Sequence, residues 1–139
     1  EFCLRKFGLF FREDDYHDYW VSKDRALLDR LWHEEISIGD FLGYPKCCID
    51  TFVERIRLAD STEDNTKNPA IQFCREARIA MKQGEFNHTL NYALHVPCAL
   101  DCGETLVLAS KMREVMMRED IEAAYYLEDY NNRGIYELC

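Results

Sequence analysis

Two short segments of the chain carry residue types that bind soft metals or attack electrophiles: Gly43-Tyr-Pro-Lys-Cys-Cys48 and His95-Val-Pro-Cys-Ala-Leu-Asp-Cys102. Each runs from an aromatic or apolar residue through a proline to cysteine. Proline suits the first turn of a helix, where its missing N–H costs nothing, so these cysteines are expected where helices begin. Unpaired N–H groups and the positive end of the helix dipole there favour the thiolate over the thiol. The thiolate is the form that ligates metals or acts as a nucleophile.

The second segment reads His95-x2-Cys98-x3-Cys102, and on a helix Cys98 and Cys102 would face the same side. With Cys47 and Cys48 from the first segment, the expected metal set is Cys47, Cys48, Cys98 and Cys102, with His95 as reserve ligand or hydrogen-bonding support. Four soft ligands suit zinc or an iron–sulfur cluster. Adjacent residues diverge by roughly 100° on a helix, which argues against both Cys47 and Cys48 holding one ion and favours a cluster or a site using one of them. Filled ligand positions would make the site structural or electron-transferring; an open one would permit catalysis. Two other readings compete. One is a thiol-disulfide redox enzyme or sensor, with Cys48 or Cys98 as nucleophile. The other is a protein interaction module whose cysteines are packed and inert. No reaction or substrate follows from these residues, so whether the chain is an enzyme stays open.

Tyr44-Pro-x-Cys-Cys followed by His95-x-Pro-Cys-x3-Cys resembles the prokaryotic family catalogued as domain of unknown function 483, many of whose members are archaeal. The resemblance rests on Gly43 to Phe52 and His95 to Cys102. It implies a shared site and no particular reaction. Where the family usually has a small polar residue after the second proline-cysteine pair, this chain has Ala99.

The remaining candidates are plainer. His33-Glu34-Glu35 reads as a solvated helix end, and Cys74 as a packed cysteine on an apolar face. Cys3 and Cys139 stand near the ends, and His17 and His88 lie among polar residues. Asp101 is expected to cap the helix that follows, with Glu104 in its first turn, although it could instead accept from His95. Tyr125, Tyr126 and Tyr130 are expected to pack against the aromatic N-terminal segment. There is no glycine-rich phosphate loop, nucleophile elbow or His-Glu-x-x-His pattern.

The elements that must position these residues follow from punctuation and periodicity. Ser22 is expected to cap a helix from Lys23 to Glu34, with Leu27, Leu28, Leu31 and Trp32 on one face. A short helical turn over Ile36 to Leu42 ends at Gly43, and a helix runs from Pro45 to about Ala59. Its apolar face is Ile49, Phe52, Val53 and Ile56. After the polar linker 60–68, Asn68-Pro69 opens a helix to Gln83 that stops at Gly84. Alternation over Leu90 to Val96 permits a short strand, and Pro97 begins a helical region from Cys98 or Gly103 to about Asp129, closed by a turn at Asn131 to Gly134. The expected fold is all-α: a compact single domain over 1–139 with four to five helices and room for a minor strand pair.

Composition narrows the class. A chain of 139 residues with 47% hydrophobic and 31% charged residues can bury a real core without disulfide staples. Its net charge of -9 opposes nucleic acid and acidic membrane surfaces. A protein partner or a second copy of the chain is more natural. No apolar run has the length of a membrane span and no export signal is visible, so the expected location is cytoplasmic and reducing. There, seven cysteines, an odd number, read as metal-binding or catalytic before disulfide-forming.

Overall fold

In a computed structural model, residues 8–14, 19–62 and 67–137 are described. Cys3, His17 and Cys139 lie outside them. The chain groups into two compact units, Glu1–Tyr44 and Pro45–Cys139. It is mostly helical, with one small antiparallel sheet.

In the first unit, β1 (Phe10–Glu13) pairs antiparallel with β2 (Tyr19–Ser22), placing Phe11 opposite Val21 and Arg12 opposite Trp20. The first strand of the sheet thus lies in the aromatic N-terminal stretch. Helix α1 (Arg25–Trp32) starts two residues later than a Ser22 cap would place it. Asp24 is the cap, accepting from the Leu27 N–H, while Ser22 Oγ accepts from the Asp24 N–H. Arg12 pairs with Asp29 and lies over the Trp32 ring at 5.1 Å, and Leu28 is buried. His33 to Glu35 is an exposed helix end, as expected. Helix α2 (Ile38–Phe41) opens with a reciprocal capping box between Ser37 and Asp40, and Gly43 supplies the left-handed residue beyond it, with φ 71°.

The second unit holds the proline-cysteine segments. Helix α3 (Lys46–Thr62) begins where Pro45 predicts and outruns the expected end at Ala59. The carbonyl of buried Pro45 accepts from the N–H groups of Cys48 and Ile49. Its expected apolar face is only half used, since Phe52 and Val53 are 40% and 60% exposed. Helix α4 (Pro69–Gln83) is bounded as its punctuation requires: Asn68 caps Ala70 N–H, and Gly84 takes φ 72°.

Leu90 to Val96 forms no strand. Residues His88–Tyr92 make a 3-10 helix capped by Asn87, and Leu90, Asn91 and Tyr92 are all buried, which an alternating half-buried strand would not do. The long C-terminal helical region is two helices, α5 (Gly103–Glu119) and α6 (Ile121–Glu137). The turn expected at Asn131 to Gly134 is instead helical. Asn131 Nδ2 donates to the Asn91 carbonyl and Asn132 Oδ1 accepts from Asn91 Nδ2, so tertiary bonds hold those residues in the helix.

Two apolar clusters organise this unit. Ala77, Ala80, Phe86, Leu90 and Ile135 form one, with Leu100 and Leu106 packed on it; Tyr92, Ala109 and Ala124 form the other, bordered by Met112, Met116 and Leu127. Small residues at the centre let α4, α5 and α6 approach closely, and the larger side chains fill the rim. Tyr125, Tyr126 and Tyr130 are 59%, 66% and 58% exposed, with Tyr126 stacked on Tyr130. Among the described residues no helix is long and apolar enough to cross a membrane.

Candidate metal centre

Helix α3 presents Cys47 and Cys48 as its second and third residues, in the first turn. The other two cysteines come from the segment that enters α5. Cys98 does not start a helix: residues 98–101 form bends and a turn, and Cys102 takes the cap position of α5. That turn, rather than a shared helical face, brings Cys98 and Cys102 to one place. Leu100 anchors it in the first apolar cluster, and Arg55 on α3 donates to the Cys98 carbonyl at 3.5 Å. Asp101 is exposed in the turn and leaves the cap position to Cys102.

The Sγ atoms of Cys47, Cys48, Cys98 and Cys102 all lie within 4.8 Å of one another. The separation is 3.9 Å for Cys47–Cys48, 3.7 Å for Cys47–Cys102 and 3.7 Å for Cys48–Cys102. None of these cysteines is in a disulfide. The divergence argument from adjacency therefore fails for Cys47 and Cys48. Helical geometry fixes where neighbouring side chains leave the backbone, but rotation about the Cα–Cβ bond decides where each sulfur ends. Both sulfurs turn towards Cys102.

Burial is graded across the group. Cys48 and Cys102 are 2% and 9% exposed, Cys98 is half-buried and Cys47 is exposed. The two buried sulfurs receive hydrogen bonds from a backbone N–H and a hydroxyl. Cys48 Sγ accepts from the Cys98 backbone N–H at 3.4 Å and lies 3.2 Å from Thr105 Oγ1. Cys102 Sγ accepts from the Thr105 hydroxyl at 3.3 Å. Thr105 is fully buried, and its Oγ1 also lies 3.0 Å from His95 Nε2. His95 thus meets the sulfurs through Thr105, while the grouped ligand atoms are the four thiols. Thr105 escaped the sequence reading. Its signal is a hydroxyl three residues after a helix-capping cysteine, on the face that points back to it.

A helix start does not lower every thiol here. For Cys102, burial works upward, but the Thr105 hydroxyl and backbone N–H outweigh it and bring the pKa down to about 7. Cys98 goes the other way: burial, then contact with Cys102 and Cys48, pushes it up to about 12. Cys47 is raised as well, first by partial desolvation of its sulfur and then by contact with Cys102. Burial lowers the pKa of His95 and favours its neutral ring. Four crowded thiols without a cation cannot all ionise, since each thiolate disfavours the next.

A family described as "Protein of unknown function (DUF483)" matches residues 16–131. Uncharacterized protein MJ1106 of Methanocaldococcus jannaschii is 29% identical over 89 residues, which is 64% of this chain and 44% of that protein. The chain thus aligns with less than half the length of that curated relative. No solved structure matches.

Proposed function

The chain belongs to the DUF483 family, and we propose that its second unit is a mononuclear metal-binding module in which Cys47, Cys48, Cys98 and Cys102 hold one ion, zinc in the first instance. The sulfur spacing carries this reading. A tetrahedral ion with metal–sulfur bonds near 2.3 Å requires ligand sulfurs about 3.8 Å apart, and three of the pairs stand at 3.7, 3.7 and 3.9 Å. Thiolates spread over the separate irons of a cluster must lie farther apart than this. The all-sulfur donor set suits a soft or borderline ion, and the hydrogen bonds to Cys48 and Cys102 are of the kind that orient metal thiolates.

With four protein ligands in place the centre is closed and structural. It clamps the start of α3 to the turn ahead of α5. His95 supports it through Thr105 as a hydrogen-bonding residue. Such a site keeps its thiols reduced in a cytoplasmic setting. One observation favours a second reading, a dithiol redox pair: Cys102, lowered to about 7, lies 3.7 Å from exposed Cys47.

Anaerobic purification followed by elemental analysis and a visible spectrum tests the choice. The expected result is one colourless zinc per chain, lost in Cys98→Ser. One iron without inorganic sulfide would keep the mononuclear site and change its ion. Several irons with sulfide would replace it by a cluster. A metal-free chain that rapidly forms a Cys47–Cys102 disulfide would favour the redox pair.

A further inference from the structure

The four sulfurs of the centre are not equivalent, and their differences have a chemical consequence. Cys48 is 2% and Cys102 9% exposed; both receive hydrogen bonds, from the Cys98 N–H and the Thr105 hydroxyl. Cys98 is half-buried, whereas Cys47 is exposed. Among the described residues, Cys47 Sγ contacts the sulfurs of Cys48 and Cys102 and also hydrogen-bonds with Cys98. A hydrogen bond to a thiolate stabilises its charge and damps its nucleophilicity. Cys47 is the sulfur that solvent and an incoming electrophile reach.

We propose that Cys47 is the reactive thiolate of the centre and accepts alkyl groups from soft electrophiles. The inference rests on the mononuclear metal reading. Four thiolates around a divalent ion would make a dianionic centre, electron-rich at sulfur. In the step, a lone pair of Cys47 Sγ attacks the electrophilic carbon of R–X. The S–C bond forms as the C–X bond breaks, and X leaves into solvent with the bonding electrons. No proton or oxidant is needed. The product thioether is a neutral, weaker ligand, which would leave Cys48, Cys98 and Cys102 to hold the ion. The net negative charge of the centre would shrink by one, so alkylation would mark the site electrically as well as covalently. A dianionic centre on a chain of net charge -9 selects neutral or cationic donors over anionic ones.

The test uses the full chain loaded with zinc, with metal content measured first. One equivalent of iodoacetamide is added, and the modified cysteine is located by peptide mass mapping over time. Cys47 is expected to react about tenfold or more faster than Cys48, Cys98 or Cys102, with zinc retained, and iodoacetate is expected to react more slowly than iodoacetamide. In zinc-loaded Cys47→Ser, alkylation at the other three positions stays slow. A chain that binds no metal overturns both this inference and the reading beneath it. A zinc-loaded chain in which Cys48, Cys98 or Cys102 is modified as fast as Cys47 overturns this inference alone. If Cys47→Ser does not load zinc, the order of modification in the native chain decides.

Discussion

Thr105 offers one hydroxyl to two sulfurs and an imidazole. Its Oγ1 lies 3.2 Å from Cys48 Sγ, 3.3 Å from Cys102 Sγ and 3.0 Å from His95 Nε2. A hydroxyl that donates its single proton to a thiolate must accept from the ring, which assigns the proton of neutral His95 to Nε2. Thr105→Val keeps the shape and removes this relay. Metal affinity is expected to fall by about 10–100-fold with the helical circular dichroism intact, while Thr105→Ser retains most of it; chelator competition measures both. An unchanged affinity in Thr105→Val would reduce the hydroxyl to a packing role. The thiol pKa values set a second expectation. Cys98, held at about 12, must surrender a proton to the metal throughout the working range. Cys102, at about 7, must do so only in more acidic solution. Protons and metal compete for the same sulfurs, so affinity falls as pH falls, and the slope should steepen by about one proton on crossing below pH 7. Competition titrations across that pH check the slope.

At the scale of elements, the break between α5 and α6 rests on Asp120. Its side chain accepts from the Ala123 N–H at 2.9 Å, while its own N–H closes α5 on the Met116 carbonyl. Asp120→Ala should cost about 1 kcal/mol, a loss of several degrees in Tm by thermal denaturation, with metal stoichiometry unchanged. The same residue shows what was legible in the sequence. Asn68, Pro69 and Gly84 announce α4 because cap, proline and left-handed glycine act locally, each within a few residues. Asp120 is also a local signal, but it stands inside an unbroken helical pattern and was passed over. Asn131 and Asn132 read as a turn by the same local rules, and only their bonds to Asn91, some forty residues away, explain why they remain helical. The site divides similarly. The cysteines are legible in the sequence, and Pro45 marks the start of α3, but Pro97 opens a turn rather than a helix. The convergence of Cys47 and Cys48 was not legible, since it depends on side-chain rotation, and neither was the Thr105 relay, which needs the approach of α3 to α5.

For the molecule as a whole, the thiol group joins segments that are distant in sequence: Cys48 and Cys102 are 54 residues apart and their sulfurs 3.7 Å. Within its unit, α3 packs chiefly against α4. Half of its expected apolar face is open, with Phe52 and Val53 at 40% and 60% exposure, and Leu58 is 52% exposed as well. Apolar burial alone therefore binds α3 weakly, whereas α4, α5 and α6 share the two clusters that also bury the 3-10 helix. A metal on the four sulfurs would supply the missing attachment at the start of α3, in proportion to its free concentration over its dissociation constant. At a thousandfold excess over that constant the linkage is worth about 4 kcal/mol, which for a unit of this size corresponds to roughly 15–30 °C in Tm. Chelation is expected to lower Tm by that order and to make hydrogen exchange in α3 rise before that in α5 and α6, because the latter retain their clusters. Adding zinc back should reverse both changes. Uniform loosening of all the helices of the unit would place the metal's contribution in the core, and an unchanged Tm would show that α3 stays attached without the ion.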